Sequence, residues 1–112
     1  MSTKLKVSFA LPTSLKKEIR ERVIRDGYGL RGKSRWVTEA IESLLSIKDY
    51  PKLISYNDEM SGFNEIETIV IDYKIRKNIE VAVLQIRKQY PTLEGVKSCI
   101  FRTAVMQRLL RG

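Results

Sequence analysis

Lys4-Leu5-Lys6-Val7-Ser8-Phe9-Ala10-Leu11-Pro12 is the stretch that decides the fold, and a matching stretch, Thr68-Ile69-Val70-Ile71-Asp72-Tyr73-Lys74-Ile75, returns 64 residues later. The first alternates with period two. Leu5, Val7, Phe9 and Leu11 share one face, and Lys4, Lys6, Ser8 and Ala10 share the other, the signature of a half-buried strand. Pro12 ends the ladder because it has no N–H to donate, and Thr13 or Ser14 is expected to cap a helix. So short a strand cannot make a sheet alone. It needs a partner, and the second stretch supplies one within the same chain.

Each strand leads into the same series of signals. After Pro12, Leu15, Ile19 and Val23 recur at helical spacing among Lys16, Lys17, Arg20 and Arg22. Asp26-Gly27-Tyr28-Gly29 stops that helix, and Leu30-Arg31-Gly32-Lys33-Ser34 is a basic loop opening a second one. The second helix carries a wide apolar stripe of Trp36, Val37, Ala40, Ile41, Leu44 and Leu45. Adding 64 places Lys33-Ser34 on Lys97-Ser98 and Trp36, Val37, Ala40 and Ile41 on Ile100, Phe101, Ala104 and Val105. The same step places Val7, Phe9 and Leu11 on Ile71, Tyr73 and Ile75, and Leu15 and Ile19 on Ile79 and Val83. Apolar meets apolar, as a shared core requires. The second copy lacks the proline, and Cys99 stands where the first has Arg35.

Two readings of the polar positions follow from the residues. Lys4, Lys6 and Ser8 suit either a solvated strand face or a binding surface. Lys33-Ser34 suits either an ordinary cap or a phosphate clamp built from backbone N–H groups, the helix dipole and a lysine.

Composition narrows the function. Among 112 residues, 21 are Lys or Arg and 13 are Asp or Glu, for a net charge of +8. Residues 1–45 and 67–112 each carry +5, whereas residues 46–66 carry −2, so the excess belongs to the two copies. Such a balance suits a polyanionic partner. The chain has no histidine, which removes the commonest general base and any His-containing zinc site. No glycine-rich nucleotide loop or catalytic Ser or Cys signature occurs, so no catalysis, metal or cofactor is expected. Cys99, the single cysteine, is read as a small core residue in a reducing compartment. With no apolar run near a membrane span and no signal-peptide pattern, the expected location is cytoplasmic, associated with a nucleoid or plasmid.

The alternating strand ending in Leu11-Pro12, the Leu15/Ile19 helix, and Gly32-Lys33-Ser34 with Ala40 six residues on resemble the ribbon-helix-helix (MetJ/Arc-type) family of DNA-binding proteins. Two copies in one chain resemble the tandem, single-chain form seen in TraY-type relaxosome accessory proteins. The resemblance implies a mainly α fold with a two-stranded antiparallel ribbon, arranged β-α-α-linker-β-α-α as an intramolecular pseudo-dimer. Residues 4–45 would form the first unit, 46–66 the linker and 67–112 the second unit, in one domain. Tyr50, Leu53, Ile54, Tyr56, Met60 and Phe63 argue for a packed linker with a short helical turn after Pro51.

The family reads the major groove with its ribbon, and a two-stranded ribbon fits that groove. Carried over by position, the base-reading residues are Lys4, Lys6, Ser8 and Ala10 with Thr68, Val70, Asp72 and Lys74. Asp72 has three readings of equal weight: an acceptor for cytosine, a bridge to a lysine, or a half that has lost direct readout. Phosphate binding falls to Gly32, Lys33, Ser34, Val96, Lys97 and Ser98. The expected function is non-catalytic, sequence-specific binding of double-stranded DNA by a small transcriptional repressor, monomeric in solution and able to assemble along DNA. The runner-up is an accessory protein of plasmid conjugation acting beside a relaxase. An antitoxin-type protein-interaction module ranks below both, because the last helical pattern runs nearly to Gly112.

Overall fold

In the computed structural model, which describes residues 4–29, 31–56 and 65–111, the chain is mainly helical with one two-stranded antiparallel sheet. β1 (Lys4–Leu11) is followed by α1 (Thr13–Arg25), α2 (Lys33–Leu45) and α3 (Tyr50–Tyr56). Next come β2 (Glu65–Asp72), α4 (Tyr73–Gln89) and α5 (Val96–Arg111). β1 and β2 pair along their whole length, from Lys4 opposite Asp72 to Leu11 opposite Glu65.

The helices lie under one face of this ribbon. Phe9 and Leu11 of β1 and Ile69 and Ile71 of β2 are buried with the apolar stripes of all four long helices. Phe9 stacks on Phe101 at 4.6 Å between ring centroids, which ties β1 to α5. Trp36, Val37, Ala40 and Ile41 of α2 meet Ile100, Phe101, Ala104 and Val105 of α5 in the same core. Cys99 is buried there, its thiol accepting from Arg102 at 3.3 Å. The connection between the units is partly packed: α3 starts one residue before Pro51, with Ile54 fully buried and Tyr50 and Leu53 against the core. Met60 and Phe63 lie outside the described residues.

Two expectations about helix starts are corrected. Thr13 and Ser14 are inside α1; Pro12 holds the cap position, and its carbonyl accepts from Leu15 and Lys16 N–H at 3.1 Å. The second correction is larger. β2 ends at Asp72 and α4 begins at Tyr73, so the strand and first helix recur after 60 residues, not 64. Asp72 takes the place of Pro12, Ile75 and Ile79 take the places of Leu15 and Ile19, and Tyr73 is helical and exposed. The second helices keep the 64-residue step. The difference is absorbed by α4, with 17 residues against 13 in α1, about one extra turn.

The turn after α1 is set by its glycine. Gly27 has φ +83°, the left-handed conformation that lets Gly27 N–H bond Ile24 O and Tyr28 N–H bond Val23 O.

Candidate nucleic-acid interface

Alternation on two paired strands leaves one face of the ribbon without helices beneath it. Its side chains are Lys4, Lys6, Ser8 and Ala10 from β1, opposite Asp72, Val70, Thr68 and Ile66 from β2. All but the half-buried Ala10 are exposed. At the centre Ser8 and Thr68 hydroxyls hydrogen-bond at 2.8 Å. Lys6 stands beside Val70, which is 36% exposed, and Ile66, 57% exposed, stands beside Ala10. One end of this face is therefore charged and the other apolar. Lys4 and Lys6 make no ion pair among the described residues.

The ribbon is held rigid from its edges. Val70 N–H donates to Ser34 Oγ at 2.9 Å, Ala10 O accepts from Arg102 at 2.9 Å, and Ile66 O accepts from Lys16 at 3.0 Å. These backbone groups would otherwise be an unpaired sheet edge. Each is met by a different helix, so the exposed face is presented in a fixed attitude.

Of the base-reading positions expected from sequence, seven lie on this face: Lys4, Lys6, Ser8, Ala10, Thr68, Val70 and Asp72. Lys74 does not. It sits in the first turn of α4, and Ile66 holds the ribbon position that the four-residue shift opened. Asp72 has a further role that its three readings omitted. Its side chain accepts from Ile75 N–H at 2.9 Å, capping α4. A carboxylate turned to its own helix start satisfies an orphan donor and sits at the positive end of the dipole. An Asp immediately before the Ile75/Ile79 apolar spacing is a helix-start signal, and it was the clue that would have placed both Asp72 and Ile66.

The phosphate-binding positions divide unequally. Gly32 is buried, and a Cβ there would lie 2.3 Å from Tyr28 O and 2.4 Å from Tyr28 Cβ, so its smallness serves packing. Lys33 pairs with the buried carboxylate of Glu67. Ser34 accepts from Val70 N–H and does not cap α2, whose start has no side-chain cap at all. On the other side Val96 is buried, Ser98 half-buried and Lys97 exposed with no ion pair among the described residues. The first N–H groups of both helices precede the first helical bonds, Trp36 N–H to Gly32 O and Cys99 N–H to Gly95 O.

Away from the ribbon, Arg108 organises a polar cluster that sequence reasoning did not find. It donates to Trp36 O at 2.7 Å and to Tyr28 Oη at 2.6 Å, and lies over both rings. Tyr28 in turn donates to Glu39, and Trp36 Nε1 donates to Asp26 at 2.9 Å. The hydrogen bond from Tyr28, with Arg35 and Arg108, holds the Glu39 carboxyl below its usual range against a smaller effect of burial. The bond from Trp36 does the same for Asp26, helped by Arg22, Arg108 and Arg25. This cluster locks α5 to the first unit.

Among the described residues no group of His, Cys, Asp and Glu could hold a metal ion, and no helix is long and apolar enough to cross a membrane. Comparison with protein-family models, with curated proteins and with solved structures found no match for this chain.

Proposed function

We propose that this protein is a non-catalytic, sequence-specific binder of double-stranded DNA, built as a tandem ribbon-helix-helix pseudo-dimer, and that it acts as a small transcriptional regulator. The observation that carries the proposal is the ribbon's uncovered face: Lys4, Lys6, Ser8 and Thr68 beside Val70 and Ile66. Lysine donates to guanine O6 and N7, hydroxyls pair in either sense, and the apolar side chains match thymine methyls. A net charge of +8 gives the electrostatic footing.

The pseudo-twofold reading has its own support. Residues related by 60 map β1 onto β2, and Ser8 faces Thr68, its own counterpart, at the centre of the register. The axis would pass between those two hydroxyls. Two surface grooves are related in the same way: Lys16, Val23 and Ile24 line one and their counterparts at a step of 60, Arg76, Val83 and Leu84, line the other, joined by Lys33 and Lys97, which keep the 64-residue step of the second helices. The flanking helix starts, α2 and α5, then lie on opposite sides of the ribbon, where the two phosphate backbones bordering a groove would run.

Selection of bound sites from random duplexes tests the reading. A short consensus lacking perfect twofold symmetry is expected, because Lys6 and Ala10 differ from Ile66 and Val70. In that site Lys6→Ala should cost about tenfold in discrimination at one base step. Sequence-blind binding, with equal loss on every duplex for Lys6→Ala, would remove the ribbon from the reading role.

A further inference from the structure

The two ends of the interface differ in what occupies their lysines. Glu67 lies on the inward face of β2 and is only 4% exposed. A carboxylate under the ribbon is tolerable when a cation accompanies it. Lys33 Nζ is that cation. Swinging Lys33 out to a phosphate would leave the Glu67 carboxylate without its cation in an almost wholly buried position. On β1 the position matching Glu67 is Val7, so that strand supplies no acid to the α5 end. Lys97, the counterpart of Lys33, is exposed and free of ion pairs among the described residues.

We propose that Glu67 withholds Lys33 from the DNA backbone, so that the α5 end grips phosphate with a lysine and the α2 end does so without one. The proposal rests on the duplex-DNA reading above. Two neighbours favour it. Ser34 Oγ accepts from Val70 N–H and has only a neutral hydroxyl hydrogen to offer a phosphate, and Gly32, fixed beneath Tyr28, has no side chain, so neither replaces the charge of Lys33. Lys16, on the same side, is also tied inward, to Ile66 O at 3.0 Å and Glu65 at 3.6 Å. Binding is therefore lopsided, and a Glu67 substitution adds a contact where substitutions usually remove one.

The test is the salt dependence of binding to a selected duplex, read by fluorescence anisotropy between 50 and 200 mM salt. Each lysine–phosphate contact contributes about 0.9 to the slope of log K against log salt. Lys97→Met should flatten the slope by about 0.9. The double variant Lys33→Met/Glu67→Gln, which leaves no unpaired charge, should match the unaltered protein. Glu67→Gln alone, isosteric and leaving Lys33 in place, should steepen the slope by about 0.9 and gain about threefold in affinity across that salt range. Equal flattening by Lys97→Met and by the double variant would overturn the proposal, whether or not Glu67→Gln folds. Failure of the unaltered chain to bind any duplex would instead overturn the DNA reading itself.

Discussion

The first and second units of this chain share a plan and differ in how they are finished. The first is closed with polar locks, Asp26 to Trp36 and Glu39 to Tyr28, and tied to the second by Lys33 to Glu67. The second is closed with apolar packing and one extra helical turn, Ile75, Ile79, Ala82 and Ile86 lying along α4. A lock costs specificity of partner, since each polar group needs one particular neighbour. Packing asks only for volume. Lys97 of the second unit stays at the surface, whereas its counterpart Lys33 is engaged by Glu67.

The sharpest way to break the comparison is at the residues before the second helices. Gly32→Ala drives a Cβ into Tyr28 backbone and should cost about 3 kcal/mol, read by urea unfolding of Trp36 fluorescence. Gly95→Ala, before α5, meets nothing within 4 Å but must hold φ +59°, and should cost about 1 kcal/mol. Equal effects would mean that the two loops are built alike after all.

Next in size is the polar cluster. Arg108→Ala removes donors to Trp36 O and Tyr28 Oη and should lose about 2 kcal/mol. Leu44 occupies the matching place in α2, buried in the core, so the first unit sends no equivalent charge onto the second. A neutral result for Arg108→Ala would show the lock to be ornamental.

Helix starts come third. Asp72→Ala removes the cap of α4 and should cost about 1 kcal/mol. At Pro12 no side-chain cap exists to remove. Amide exchange should therefore speed up at the first turn of α4 in Asp72→Ala while α1 is unchanged.

The smallest effect is on acid stability, and it should map to the first unit. Asp26 and Glu39 are both held below the ordinary carboxylate range when folded. A depressed carboxylate stabilises the fold above its unfolded pKa and loses that contribution as pH falls through the folded value. Stability should therefore decline below about pH 4, with Trp36 fluorescence reporting it. The pair Asp26→Asn/Glu39→Gln should flatten that decline. A decline of undiminished steepness would place the responsible carboxylates elsewhere.

Much of this was legible in the order of residues. The strand at 4–11, the stop at Asp26-Gly27, the stripe through Trp36 and Ile41, and its echo through Ile100 and Val105 all follow from period two, period 3.6 and glycine. The ribbon's two faces followed as well, since any even shift keeps a side chain on its face; that is why Thr68, Val70 and Asp72 stayed outward although their register was wrong. The phase between the units was not legible from that repeat. Four residues is two strand periods and close to one helical turn, so steps of 60 and 64 both match most apolar residues, and the step of 64 even avoids setting Leu5 and Val7 on Glu65 and Glu67. Only closure of the core, with Ile75 entering α4 in the place of Leu15 and Asp72 capping the helix, selects 60.

What the sequence by itself determined is the set of local elements and the side each residue faces, because those depend on neighbours a few bonds away. What tertiary structure decided is which polar groups are spoken for. Lys33-Ser34 and Lys97-Ser98 are the same dipeptide at the same helix start, yet Glu67 and Val70, more than thirty residues distant, engage the first pair. Whether a charge is free depends on what folding brings beside it.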